Sequence, residues 1–391
     1  MKHRKLTTAL LITASALAGA FISHAGPLDP PAGPVAPTYK TLSDVEPRTA
    51  ISAATTPGDA NSLFRITKPG SYYLTTNITG VAGKSGIEIA ASGVTLDLNG
   101  FELLGVATAI DAITTDGTGL GNIHITGGSI RLWGGDGVDL TPAAAINCVV
   151  TAIKAFDNAG IGIRVASEST VSGCYATSND GSGITALVGS TVIDSTASQN
   201  GDDGISVTNG CTVTRCTSYL NESDGISIGT GSTVTASTAY ANTSDGISVV
   251  SGCTVTECSV YANLITGIRA VTGNTITRCT ARNNSGNGIQ VSTACLVISN
   301  TSSQNSLAGF RVLGADNRIE ANSAVASTTG YDIVGTGNII IRNTASGNDV
   351  NWSAASQNFL YVVSANAASL VNGNSGGTPL GSTDPSANFT Y

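Results

Sequence analysis

Asn200-Gly201-Asp202-Asp203-Gly204-Ile205-Ser206-Val207-Thr208-Asn209-Gly210-Cys211-Thr212-Val213-Thr214-Arg215-Cys216-Thr217-Ser218-Tyr219-Leu220 decides the fold, because Asn221 opens a second copy of the same pattern. Gly162, Gly183, Gly204, Gly225, Gly246, Gly267, Gly288, Gly309 and Gly330 follow one another at steps of 21 residues. Ile184, Ile205, Ile226 and Ile247 stand directly after their glycines, with Ala186, Val207, Ile228 and Val249 two residues further on. Apolar residues at a period of two mark a strand with one buried face. Val150, Val171, Val192, Val213, Val234 and Val255 keep the same step in a second strand, and Ala155, Ala176, Ala197, Ser218, Ala239 and Val260 keep it in a third. Between the third strand and the next first strand runs an asparagine column, Asn158, Asn179, Asn200, Asn221, Asn242, Asn263, Asn284 and Asn305. Asparagine suits a left-handed bend, and stacked amides can hydrogen-bond from copy to copy.

Three strands this short, joined by turns this brief, cannot make hairpins. They make one turn of an all-β, single-stranded parallel β-helix, each strand pairing with its counterparts about 4.8 Å above and below. The chirality of parallel crossovers makes it right-handed. Less regular coils around Gly86-Ile87, Ile110 and Gly137-Val138, and a degraded one near Val350-Asn351-Trp352, raise the expected total to about a dozen. The corresponding rod is on the order of 55–60 Å long. Open ends would expose unpaired strands, so Leu63 to Ile78, with Tyr72 and Tyr73, is expected to close one end and Trp352 to Tyr391 the other.

Outside the repeat, Lys2, Arg4 and Lys5 precede an apolar stretch from Leu6 to Ile22, and Ser23-His24-Ala25 supplies small residues for cleavage after Ala25. This pattern is that of a secretory signal, which predicts a secreted, periplasmic or cell-surface protein. The expected organisation is a signal peptide over 1–25, a Pro/Ala-rich leader or linker over 26–60, the β-helix with its N-terminal cap over 61–352, and a C-terminal cap or tail over 353–391. Loss of the signal would take the formal charge from −8 to −11. Such a balance argues against holding nucleic acid or anionic membrane by bulk charge. No other segment approaches a membrane span.

The pattern Cys-x-Val-x-x-Cys-x-Ala-x-x-Asn…Gly-Ile-x-Val resembles the parallel β-helix repeat of pectate-lyase-like proteins, and Gly93-Val94-Thr95-Leu96-Asp97-Leu98-Asn99-Gly100 is similar to the opening coil of many secreted bacterial members. The resemblance covers roughly residues 61–352. It implies the fold and leaves the activity open, since lyases, hydrolases, epimerases, adhesins and proteins of no known role share it.

Eight cysteines in an exported chain would ordinarily suggest disulfides. Here Cys148, Cys211, Cys253 and Cys295 share one column and Cys174, Cys216, Cys258 and Cys279 another. Members two coils apart are separated by about 9.6 Å, beyond the roughly 7 Å limit. Only Cys258 and Cys279 occupy adjacent coils, so at most that pair could be oxidised. The thiols read as small core residues.

Chemistry could sit in four places. Asp203, Asp224 and Asp245 stack before the first strand, beside Asp202. Carboxylates about 5 or 9.6 Å apart suit retaining or inverting glycoside hydrolysis, or a calcium ion, while Asp-Gly is also ordinary turn chemistry. Gly201-Asp202-Asp203 resembles the paired-Asp motif of polygalacturonases, although that family's Gly-His-Gly and Arg-x-Lys motifs are missing. The pectate-lyase resemblance directs attention to arginines on the first strand's outer face, where Arg269 stands with Arg164 and Arg311. Gly134-Gly135-Asp136-Gly137-Val138-Asp139 is similar to a single calcium-binding nonapeptide. Tyr219, Tyr240 and Tyr261, continued by Arg282, would offer a platform for sugar rings on the third strand's outer face, or a ladder that stabilises its own coils. Thr212/Thr214, Thr233/Thr235, Thr254/Thr256 and Thr275/Thr277 form two threonine columns similar to the Thr-x-Thr face of ice-binding β-helices. The mature chain has a single histidine, His124, outward between Ile123 and Ile125. A histidine-based triad is therefore not expected. The leading expectation is a non-catalytic module that binds polysaccharide or cell-envelope glycan or builds envelope, needing no cofactor unless calcium. Its alternatives are a polysaccharide lyase or glycoside hydrolase using the aspartate column, and ice or surface binding through the threonines.

Overall fold

From Arg48 onward the chain of the computed structural model, which describes residues 46–364 and 385–391, winds as a parallel β-solenoid. In the coil quoted above, the first strand is Ile205–Val207, the second Thr212–Thr214 and the third Thr217–Tyr219. Each pairs in parallel with the strand 21 residues on, Ile205 with Ile226, Val213 with Val234 and Tyr219 with Tyr240. The first strands form one 14-stranded sheet, while second and third strands share a 28-stranded sheet. The inward Ile, Val and Ala columns are buried, and Ile184, Ile205, Ile226 and Ile247 have no exposed surface.

Among the described residues, fourteen first strands mark fourteen coils, close to the dozen or so expected. One of them lies where a cap was expected. Ser62–Ile66 pairs with Ser85–Ile89 as a first strand, and Gly70–Tyr73 pairs with Val94–Asp97. Thr49 and Ala50 pair with Tyr72 and Tyr73, so part of the stretch read as a leader or linker takes part in the strand pairing. Ile113, not Ile110, occupies the first-strand column between Ile87 and Val138, and Ile110 is 44% exposed. Turns of uneven length in these early coils hid the register. At the far end the half-buried Trp352 stacks on the core ring of Tyr331, and Asn388–Thr390 returns to pair with Thr344 and Ala345. The proposed signal segment, its cleavage site and most of the leader lie outside the described residues.

The corners explain the polar columns. From Asn158 to Asn284 each asparagine side chain donates to the next asparagine and accepts a backbone N–H of the preceding coil. Asn200 Nδ2 reaches Asn221 Oδ1 at 2.9 Å and Asn200 N reaches the same oxygen at 3.1 Å. The left-handed residue at this corner is not the asparagine but its predecessor, Gln199, Leu220 or Ala241, all at positive φ. The asparagine is therefore selected for its amide, which satisfies bend groups that no strand can reach. The glycine that recurs beside it at the 21-residue step is required for space. A Cβ on Gly225 would lie 2.5 Å from Asn242 Nδ2 and 2.6 Å from Gly246 O.

The cysteine columns occupy the other two corners. Cys211 N donates to Ser232 Oγ, Cys216 N to Ser237 Oγ and Cys253 N to Asn274 Oδ1. Cys, Ser and Asn interchange there because all three are small and stack, and Ser and Asn accept the preceding coil's N–H. All eight thiols are buried and unpaired. Burial pushes Cys174 and Cys216 up to about 11, which keeps them protonated and unreactive at neutral pH. Unreduced protein is expected to titrate eight thiols in denaturant, and essentially none when folded. Four or fewer in denaturant would contradict the buried columns.

Candidate functional site

The aspartates stand in line where the bend enters the first strand, and each spends one oxygen on the backbone of the next coil. Asp224 N donates to Asp203 Oδ1 at 3.1 Å, Asp245 N to Asp224 Oδ1 at 2.9 Å, and Thr266 N to Asp245 Oδ1 at 2.9 Å. Two members of this column escape a search at steps of 21. Asp136 N donates to Asp111 Oδ1, and Ile161 N to Asp136 Oδ1, both at 2.7 Å and across steps of 25 residues. An Asp-Gly/Ala-apolar signature, seen in Asp111-Ala112-Ile113 and Asp136-Gly137-Val138, was the available signal. Asp202, one residue earlier, accepts at 3.1 Å from the hydroxyl of Ser182, which holds the column's position one coil before Asp203.

Burial pushes Asp203 and Asp245 up from the ordinary carboxylate range, with Asp224 adding repulsion to both. Asp111 is pushed up to about 6, mainly by burial, and Asp136 is raised for the same reason. Arg269 Nε lies 3.9 Å from Asp245 Oδ2, and Arg164 Nη1 lies 3.8 Å from Asp136 Oδ2. Among the described residues, no three His, Cys, Asp or Glu side chains converge into a group that could hold a metal ion. The column presents Asp203, Asp224 and Asp245 side by side in successive coils, each with one oxygen accepting a backbone N–H. In the nonapeptide-like stretch, Asp139 Oδ1 is likewise taken by Thr141 N and Oγ1.

These carboxyls set a direction for pH dependence. A carboxyl whose folded pKa is raised binds its proton more tightly folded than unfolded, so stability rises as pH falls from about 6 towards 4. The wild-type midpoint is expected to be higher near pH 5 than at pH 7. Asp111→Asn, which keeps the acceptor for Asp136 N, should raise stability at neutral pH by an amount on the order of 1–2 kcal/mol, with a higher thermal midpoint, and flatten this slope. Thermal melts across pH 4–8 check both effects. A wild-type midpoint that climbs from pH 5 to pH 7 would contradict them.

On the third strand's outer face, Tyr219, Tyr240 and Tyr261 stand in successive coils with ring centroids 4.9 Å apart and planes within 5° of parallel. A ring is wider than the coil spacing, so these rings cannot lie flat side by side and must stack on each other. Tyr240 has both faces covered, and Arg282 Cζ sits 4.7 Å over the far face of Tyr261. The expected sugar platform is thus a ladder that turns ring edges outward. The threonine columns are in register as expected, Thr212 with Thr233, Thr254 and Thr275. One hydroxyl in the array, Thr256 Oγ1, accepts from Arg278 at 3.2 Å. His124 Nε2 lies 3.1 Å from Thr151 Oγ1 on the second strand's outer face.

Comparison with known proteins agrees with this architecture. The family described as right handed beta helix region matches residues 111–265. No curated protein matches the chain. Among solved structures, it is similar to the A-module of the Azotobacter vinelandii mannuronan C-5 epimerase AlgE6, with 14% identity and a TM-score of 0.53 over 70% of this chain and 90% of that one. The AlgE4 A-module of the same organism matches with 14% identity and a TM-score of 0.46, over 70% of this chain and 91% of that one. At such identities the likeness concerns fold and not activity. Among the described residues, no helix is long and apolar enough to cross a membrane. With its parallel sheets, stacked corners and matching coils, the described chain is an all-β parallel β-helix, right-handed as the description of the matching family has it.

Proposed function

We propose that this chain is an exported β-helical module that binds extracellular or cell-envelope glycan without transforming it. The observation that carries the reading is the third strand's outer face, where Phe156, Tyr175, Tyr219, Tyr240 and Tyr261 stand among threonines and serines on a rigid sheet. Aromatic side chains flanked by hydroxyls and cations suit saccharides, whose rings offer apolar C–H faces and polar rims. The tyrosine ladder would contribute edges and Arg282 a cation. A purely envelope-building role would use the same rod without the ligand.

The aspartate column supports a second reading, hydrolysis or lysis of a polysaccharide. Its support is the raised Asp203 and Asp245 carboxyls, with Arg269 beside the latter. A polysaccharide panel scored for both retention and product separates the two. Retention without new reducing ends or unsaturated uronate supports binding. Product release that disappears in Asp245→Asn or Arg269→Ala overturns it in favour of catalysis, and neither retention nor product overturns both.

A further inference from the structure

The column that carries the tyrosines is interrupted. Below Tyr219 it continues, in register, through Ser198 and Thr177 to Phe156 and Arg131. Its outer ends are closed by guanidinium groups, since Arg131 Cζ lies 6.0 Å over Phe156 and Arg282 caps Tyr261. The free face of Phe156 therefore looks up the column towards Tyr219, three coil steps or about 14 Å away. The upper of the two missing rungs is shut, because Ser198 is 4% exposed and donates to Thr177 Oγ1 at 3.0 Å. The lower rung is open. Over Thr177 lies a concavity of about 320 Å³ lined by Lys154, Phe156, Tyr175 and Thr177. Tyr175 is 54% exposed, and Lys154 makes no ion pair among the described residues.

We propose that this missing rung is a binding slot for one anionic saccharide ring, stacked on the aromatic wall with its carboxylate or sulfate held by Lys154. The slot rests on the glycan-binding reading and gives it a location and a ligand class. A pyranose ring has the thickness of a rung, so its C–H face can replace the absent side chain against Phe156 and Tyr175. Thr177 supplies a hydroxyl at the floor. Lys154 supplies a compact charge on a flexible stem. The chain's formal charge of −8 opposes polyanions only at long range. Over distances beyond about 10 Å that repulsion is screened at ordinary ionic strength, whereas the lysine acts in contact.

Native affinity electrophoresis tests the slot in gels containing polygalacturonate, dextran sulfate or neutral hydroxyethylcellulose. The first two distinguish carboxylate from sulfate. The full chain is expected to be retarded by at least one polyanion. Thr177→Tyr, which fills the rung, and Lys154→Ala should each weaken that retardation at least five-fold. Both positions are outward, so melting temperatures should stay within a few degrees of wild type. If Thr177→Tyr fails to fold, Tyr175→Ala replaces it, removing one wall of the slot at an exposed position. Wild-type retardation that survives all these substitutions overturns the slot and leaves the glycan-binding reading standing. Retardation by hydroxyethylcellulose alone overturns the anionic assignment. If no gel retards the wild type, the functional reading fails and the slot fails with it.

Discussion

Ile226→Asp is expected to lower the thermal midpoint by about 10 °C or more, or to abolish the folded state. Ile226 is fully buried between Ile205 and Ile247, its register partners in the adjoining coils. Losing the isoleucine forfeits about 2–3 kcal/mol of apolar burial. A carboxylate in its place finds apolar columns above and below, and burying it unpaired costs several kcal/mol more or forces it to hold a proton. Two companion measurements separate these contributions. Ile226→Val should cost only about 1 kcal/mol, since it removes one methyl group from the same column. The aspartate variant should also recover part of its stability towards pH 4–5, where a buried carboxyl with a raised pKa takes up its proton. An unchanged midpoint in Ile226→Asp would show that the column is not buried.

Asn242→Ala is expected to cost about 4 kcal/mol, far more than a surface asparagine. The Asn242 amide is fully buried and serves four groups. Its Oδ1 accepts from Asn221 N at 3.1 Å and from Asn221 Nδ2 at 2.9 Å. Its Nδ2 donates to Asn263 Oδ1 at 3.0 Å and to Ser218 O at 3.3 Å. Truncation leaves Asn221 N without its acceptor in a corner closed to water, at about 1–3 kcal/mol before relaxation, removes a donor from the Ser218 carbonyl and reduces Asn221 Nδ2 to Ser218 Oγ and Ala197 O. Because each coil touches only its neighbours, a break at mid-rod should also uncouple the two halves. Denaturant melts should then resolve into two transitions where the wild type shows one. Asn242→Ser should recover part of the loss, because Ser327 Oγ already performs this role for Asn305 N at 3.2 Å. A single, undisplaced transition in Asn242→Ala would mean that the ladder carries no stability.

Repetition made the fold legible. A period of 21 residues in Gly, Ile, Val, Ala and Asn dictates three strands and three corners per coil, because each position meets its own copy above and below. The same logic placed the cysteines in the core and kept them apart. Legibility failed where the step changes. Register at Asp111, Asp136 and Ile113, and the coil begun by Ser62–Ile66, are set by pairing across turns of unequal length, which a fixed period cannot find. It failed again at the outer face, for a different reason. A column states which residues are neighbours but not how a side chain turns within the coil spacing. Only the tertiary structure decided that the tyrosines stack face to face, that Ser198 is covered while Thr177 is open, and that each aspartate spends an oxygen on the next coil's backbone. Burial and strand pairing follow from the pattern of apolar residues, which sequence records directly. Exposed faces and hydrogen-bond direction depend on torsions about the side chains, which are settled only when neighbouring coils close around them.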